Sequence, residues 1–116
     1  MKHIESSIQR GFVKAFRHQY AGFSCLLFAI PNGGARNKIE ASIMQGEGVL
    51  AGAADLMLAI PAGGAHGLFL ECKSPTGKQT DTQRKFQHEV EIQGYQYRVF
   101  RSAQEGLDIV RQYLKS

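Results

Sequence analysis

The sequence predicts an α/β fold, a mixed β-sheet flanked by helices, with elements in the order αβαββαβα. Three features carry that prediction. Apolar residues recur at helical spacing near both ends of the chain, and two short apolar runs flank a glycine-rich turn in its middle. A well-marked helix also stands between the last two strand-like segments, and a crossover of that kind should be right-handed and make the strands it joins parallel. Helices on both faces of the sheet are the natural product.

Taken in order, the apolar residues Ile8, Phe12, Val13, Phe16 and Tyr20 follow Ile4 on one face of a helix that ends before Gly22. Ser24 to Ile30 reads as a buried strand, stopped by Pro31-Asn32-Gly33-Gly34. A short helix over Asn37 to Gln45 comes next. After the glycine-rich stretch Gly46 to Gly52, Asp55 to Ile60 and Gly67 to Lys73 flank Pro61-Ala62-Gly63-Gly64-Ala65-His66, a hairpin signal. Thr80-Asp81-Thr82-Gln83 has the form of a capping box, and Gln83, Phe86, Gln87 and Val90 continue one face of a helix that stops at Gly94. Tyr95 to Arg101 follows as a strand. Ser102-Ala103-Gln104-Glu105 repeats the capping signal, and Leu107, Val110 and Leu114 give the last helix its buried stripe.

The 116 residues suit one domain spanning 1–116, with 43% hydrophobic and 21% charged residues as in an ordinary globular protein. Apolar runs such as Cys25 to Pro31 and Leu56 to Pro61 are far shorter than the roughly 20 residues of a membrane span. Lys2, His3, Glu5 and Arg10 leave no room for the apolar region of a signal peptide, so the expected location is the cytoplasm. There Cys25 and Cys72 are expected as buried free thiols rather than a disulfide. The net charge of +4 suits a polyanionic partner without requiring one.

Charged residues converge in the central hairpin. A turn centred on Gly63-Gly64 sets position 55 opposite position 72, give or take one, so Asp55 comes level with Glu71 and Lys73. Glu71 and Lys73 point to one face, and Phe69 on the same face marks it as covered. Two carboxylates and an ammonium at the edge of a core must be paired or bind a metal, since desolvating each costs several kcal/mol. A structural salt bridge would satisfy that rule as well as a metal would. Glu5 lies near the inward face of the first helix, where it also suits the helix dipole. Gln83 can serve a site or simply its capping box.

Together these residues resemble the PD-(D/E)XK nucleases and, within them, the VRR-NUC (virus-type replication-repair nuclease) domain, over nearly the whole chain. The resemblance rests on Glu5 in the first helix, Pro31-Asn32-Gly33-Gly34-Ala35-Arg36, Gly52-Ala53-Ala54-Asp55-Leu56, Glu71-Cys72-Lys73, and Gln83 in the next helix. It implies a restriction-endonuclease-like fold in which Asp55 and Glu71 bind a divalent ion, Lys73 assists the attacking water, and Glu5 and Gln83 support the site. Ala54 stands where the superfamily's name motif has proline, a residue that shapes backbone rather than doing chemistry.

All-oxygen ligands favour Mg²⁺ or Mn²⁺ over zinc, with the Cys72 carbonyl as a further donor and Glu5 as an additional acid within reach of the ion. His3, His18, His66 and His88 form no ligand pattern. Arg10, Lys14 and Arg17 share a polar face of the first helix and, with Asn32, Arg36, Lys38, Lys78, Arg84 and Lys85, would line a DNA backbone path. Stand-alone domains of this family resemble junction-resolving homodimers, which implies a structure-specific endonuclease acting on branched DNA such as four-way junctions, in a bacterial or phage-infected cell. A nuclease of flaps, nicks or linear duplex is the nearest alternative. A non-catalytic nucleic-acid-binding module, with Asp55, Glu71 and Lys73 as a salt-bridge network, is the alternative from another class.

Overall fold

The computed structural model describes residues 2–32 and 37–116. In chain order the elements are α1 (Lys2–Gln19), a 3-10 segment (Ala21–Leu26), β1 (Leu27–Ala29), α2 (Lys38–Gly46), β2 (Leu56–Leu58), β3 (Leu68–Cys72), α3 (Asp81–Ile92), β4 (Gln96–Phe100) and α4 (Ala103–Lys115). The four strands form one sheet in the order β1-β2-β3-β4. β1 with β2 and β2 with β3 run antiparallel, while β3 and β4 are parallel, as the α3 crossover requires.

Alternation along β3 divides the molecule. Leu68, Leu70 and Cys72 enter a core with Phe12 and Phe16 of α1, Leu27, Leu56 and Leu58 of the sheet, Phe100, and Ile109, Val110 and Tyr113 of α4. Phe69 faces the other way, its ring 5.2 Å from that of Phe86 on α3 and 5.3 Å from that of Tyr95. Glycine is required where α1 meets α4: a Cβ on Gly106 would lie 2.6 Å from the Phe12 ring.

Helix starts are capped as their sequences indicate. Asn37, Thr80 and Ser102 each accept a backbone N–H from three residues on, which satisfies a donor with no partner in the first turn. Among the described residues, α2 buries none of its side chains and leaves Ile39 and Ile43 exposed.

Three expectations need correction. The buried strand expected over Ser24 to Ile30 begins in the 3-10 segment, which holds Ser24 to Leu26, and only Leu27–Ala29 pairs with β2. Because β1 is an edge strand and α3 sits over β3 and β4, Leu27 alone of its residues is buried. Cys25 falls in the 3-10 segment and is exposed, whereas Cys72 is buried as expected. The stripe of α4 is also rotated: Gly106, Ile109, Val110 and Tyr113 are buried, and Leu107 and Leu114 are half-buried. Among the described residues, no helix is long and apolar enough to cross a membrane.

Candidate active site

Asp55 immediately precedes β2, Glu71 and Cys72 end β3, Lys73 follows, and Gln83 lies in the first turn of α3. Leu56 pairs with Leu70, so Asp55 is level with Glu71. Near the turn, Ala62 bridges Ala65, one residue out of step with the Leu58–Leu68 pair, so the arm carrying Pro61 holds one residue more. Gly52, at φ +91°, lets the chain pass α3 on its way to Asp55; a Cβ there would lie 2.8 Å from Thr82.

Asp55 is held through both oxygens. Oδ2 accepts the Cys72 backbone N–H at 2.7 Å, and Oδ1 lies 3.3 Å from Asn32 Nδ2, which also donates to the Ala53 carbonyl at 2.7 Å. A strand residue sends its N–H and C=O to the same edge, so the Cys72 carbonyl also leaves on the Asp55 side. The next N–H, from Lys73, turns to the Phe100 carbonyl at 3.0 Å.

Glu71 is only 2% exposed. Tyr97 donates its hydroxyl to Oε1 at 3.1 Å, and Gln83 donates Nε2 to Oε2 at 3.1 Å. Burial, and after it the charge of Asp55 and a hydrogen bond with that carboxylate, push the Glu71 carboxyl from 4.5 up to about 8. The Tyr97 hydroxyl and the Lys73 charge oppose that shift less strongly. Lys73 is itself buried, and among the described residues its side chain enters no hydrogen bond or salt bridge.

Gln83 does both things its position in the sequence allows. Its Oε1 accepts the Thr80 N–H at 2.9 Å, completing the capping box, while its Nε2 holds Glu71. Glu5, in the first turn of α1, is half-buried, and its backbone carbonyl accepts the Cys72 thiol at 3.3 Å. The Glu5 carboxylate lies toward Gly77: its Oε2 is 3.5 Å from where a Cβ on that glycine would stand. Among the described residues no three of His, Cys, Asp and Glu come together to hold a metal, so Glu5 does not join Asp55 and Glu71 in a three-acid cluster. The Cys72 thiol, buried and surrounded by Asp55, Glu5 and Glu71, is pushed up to about 12 and stays protonated.

The basic residues lie on several surfaces. Arg10, Lys14, Lys38, Lys78 and Lys85 are exposed. Arg17 also donates to the Leu27 carbonyl at 3.3 Å, tying α1 to the start of β1. Arg84 pairs with Asp81 and donates to the Gln79 carbonyl at 2.8 Å. Asn32 turns its amide inward to Ala53 and Asp55. Arg36, with Gly33 and Gly34, lies outside the described residues. His3, His18, His66 and His88 are exposed, and His66 packs edge-on against Tyr95.

Sequence reading missed Tyr97 and Gln79, whose Nε2 donates to the Tyr97 hydroxyl at 3.3 Å and to Gln87 Oε1 at 2.9 Å. The register pairing Phe69 with Tyr97 puts that tyrosine on the Glu71 face. Alternation within β4 could have suggested a buried face, but nothing local relates that face to β3.

The VRR-NUC domain model matches residues 5–104, a span holding Glu5, Asp55, Glu71, Lys73 and Gln83. The chain belongs to the VRR-NUC family. Nuclease-type function follows from membership, and nuclease domains of this PD-(D/E)XK type typically use divalent metal ions. A solved structure described as a "VRR_NUC domain protein" superposes on this VRR-NUC chain with a TM-score of 0.82. The match covers 96% of this chain and 88% of that one at 23% identity, a likeness of fold. A search of curated proteins returned no significant match.

Proposed function

We propose that this VRR-NUC domain is a Mg²⁺- or Mn²⁺-dependent endonuclease that hydrolyses phosphodiester bonds in branched DNA, four-way junctions above all, as a homodimer. One observation carries the reading: a buried glutamate, gripped on both oxygens by protein donors, faces a second carboxylate near a buried lysine that, among the described residues, enters no salt bridge.

The donor set fits a hard divalent ion. Glu71 holds its proton to about 8 because its charge would be desolvated and set against Asp55, and a cation between the two would relieve both costs. Two carboxylates, the Cys72 carbonyl and water are the oxygen set that Mg²⁺ accepts, since it keeps several waters and takes one or two carboxylates. Asp55 and Glu71 would hold the ion, with Glu5 adding negative charge nearby. When bound, such an ion supplies positive charge for a non-bridging phosphate oxygen and makes water more acidic.

The residues themselves perform the remaining work. Lys73, a cation held in no salt bridge among the described residues, pairs with the scissile phosphate, orients the attacking water and offsets the negative charge that grows as water adds to phosphorus. Gln83 and the Cys72 N–H keep Glu71 and Asp55 from rotating out of position. Arg10, Lys14, Arg17, Lys38, Lys78, Arg84 and Lys85 supply salt-sensitive attraction to the DNA backbone, with Arg36 in the same role. Recognition of shape rather than base sequence follows from the lack of a base-reading module.

Cutting both strands of a junction symmetrically takes two active sites, and each chain has one. Support for a dimer comes from the exposed Ile39 and Ile43 of α2 and the exposed Phe28 of edge strand β1. A cytoplasmic role in a bacterium or phage-infected cell completes the reading.

A panel of labelled linear, flap, fork and four-way DNAs, cut in Mn²⁺ by the unaltered protein and by Glu71→Ala, tests the proposal. Junctions should be cut fastest, by a dimer in light scattering, and Glu71→Ala should bind DNA and cut nothing. Equal rates on linear duplex and junction by a monomer would sink the junction reading. Absence of any metal-dependent cleavage by the unaltered protein would favour the binding module.

A further inference from the structure

A carboxylate ligand works only if its free lone pairs point at the ion, and Glu71 has one donor on each oxygen. Gln83 reaches Oε2 from α3 and Tyr97 reaches Oε1 from β4, both at 3.1 Å. Two donors on opposite oxygens stop rotation of the carboxylate about its terminal bond. Each oxygen keeps acceptor capacity, since an ionised carboxylate offers about four lone-pair sites in all.

The Tyr97 hydroxyl is itself oriented. Gln79 Nε2 donates to it at 3.3 Å, so its own proton is directed to Glu71. The same Gln79 nitrogen donates to Gln87 Oε1 at 2.9 Å, and Gln87 Nε2 donates to Glu91 Oε2 at 3.2 Å. With its nitrogen engaged on two sides, the Gln79 amide has a defined orientation. Tyr97 is only 4% exposed, and its ring packs 6.3 Å from that of Phe86, so the hydroxyl cannot swing away to water.

Resting on the metal-site reading above, we infer that Tyr97, oriented by Gln79, is a positioning residue that sets the Glu71 carboxylate for its divalent ion. Hydrogen-bond partners behind a metal ligand typically change metal affinity about 10- to 100-fold when removed. Tyr97 touches neither ion nor substrate; it acts through Glu71.

The test is Tyr97→Phe, which keeps the ring and deletes only the hydroxyl. Calorimetric titration with Mn²⁺ in the absence of DNA should show binding weaker by about tenfold. The Mn²⁺ concentration giving half-maximal cleavage should rise by a similar factor, and saturating Mn²⁺ should bring the rate back to within about threefold of the unaltered protein. Gln79→Leu should weaken Mn²⁺ binding in the same direction and by less, and it carries the test should Tyr97→Phe not fold. Unchanged Mn²⁺ affinity in a folded variant, or a lost rate that Mn²⁺ does not restore, overturns the inference. If instead the unaltered protein binds no Mn²⁺, the metal-site reading itself is what fails.

Discussion

The two faces of β3 differ by a single residue step and by almost everything else. Leu68, Leu70 and Cys72 meet α1 and α4 in an apolar core, while Phe69 and Glu71 turn toward α3 and the polar groups of β4. On the first face a side chain is held by the atoms packed around it. On the second, Glu71 is held by named donors, and its burial is a cost that those donors and the neighbouring lysine only partly offset. One strand thus supplies both an apolar wall and the candidate site's glutamate mounted on it.

Neighbouring substitutions should separate the two faces most sharply. Glu71→Gln is expected to cut cleavage more than about a thousandfold while leaving the protein folded and able to bind DNA. Leu70→Ala, one residue away, should lower stability by about 2–5 kcal/mol in a urea titration, and below its midpoint the folded fraction should still cleave. Were Glu71→Gln instead to unfold the protein, the face toward α3 would be structural after all.

The pH dependence sharpens the same contrast. Glu71 titrates near 8 in the folded protein and 4.5 is its ordinary value, so its protonated form favours the folded state. That stabilisation is complete below about pH 4.5 and is lost as pH rises through about 8. The melting temperature of the metal-free protein should fall across this range, Glu71→Gln should flatten the fall, and Mn²⁺ should raise melting more at pH 8 than at pH 5. Core-face substitutions should leave the slope unchanged.

Smaller effects are expected where helices meet or begin. Gly106→Ala pushes a methyl group into the Phe12 ring and should cost about 1–3 kcal/mol in chemical denaturation, with no change in metal affinity. Thr80→Ala removes the hydroxyl that caps α3 together with an exposed methyl, and a loss of about 1 kcal/mol should accompany a nearly unaltered cleavage rate.

The helices and the hairpin were legible because their signals are local. Phe12 and Phe16 recur at helical spacing, Thr80 and Gln83 form a capping box, and Gly63-Gly64 closes a turn. Asp55 and Glu71 came level because a hairpin fixes its own register to within a residue. Ser24 to Leu26 misled because an apolar run of that length suits a strand or a 3-10 turn equally, and only the short edge strand β1 decides between them. Tyr97 was invisible for a different reason. Its pairing level with Phe69 is set across the whole α3 crossover, by how that helix packs, and no nearby residue encodes it. Asn32 was legible as a turn residue, but its reach of more than twenty positions to Ala53 and Asp55 is tertiary.

The double engagement of Gln83 links the stability of a helix end to the orientation of a carboxylate. One side chain closes the first turn of α3 and also grips Glu71, so the helix start and the glutamate's orientation are coupled. Hydrogen exchange at the Gln83 amide should therefore slow when Mn²⁺ is added, reporting the site from within a helix cap.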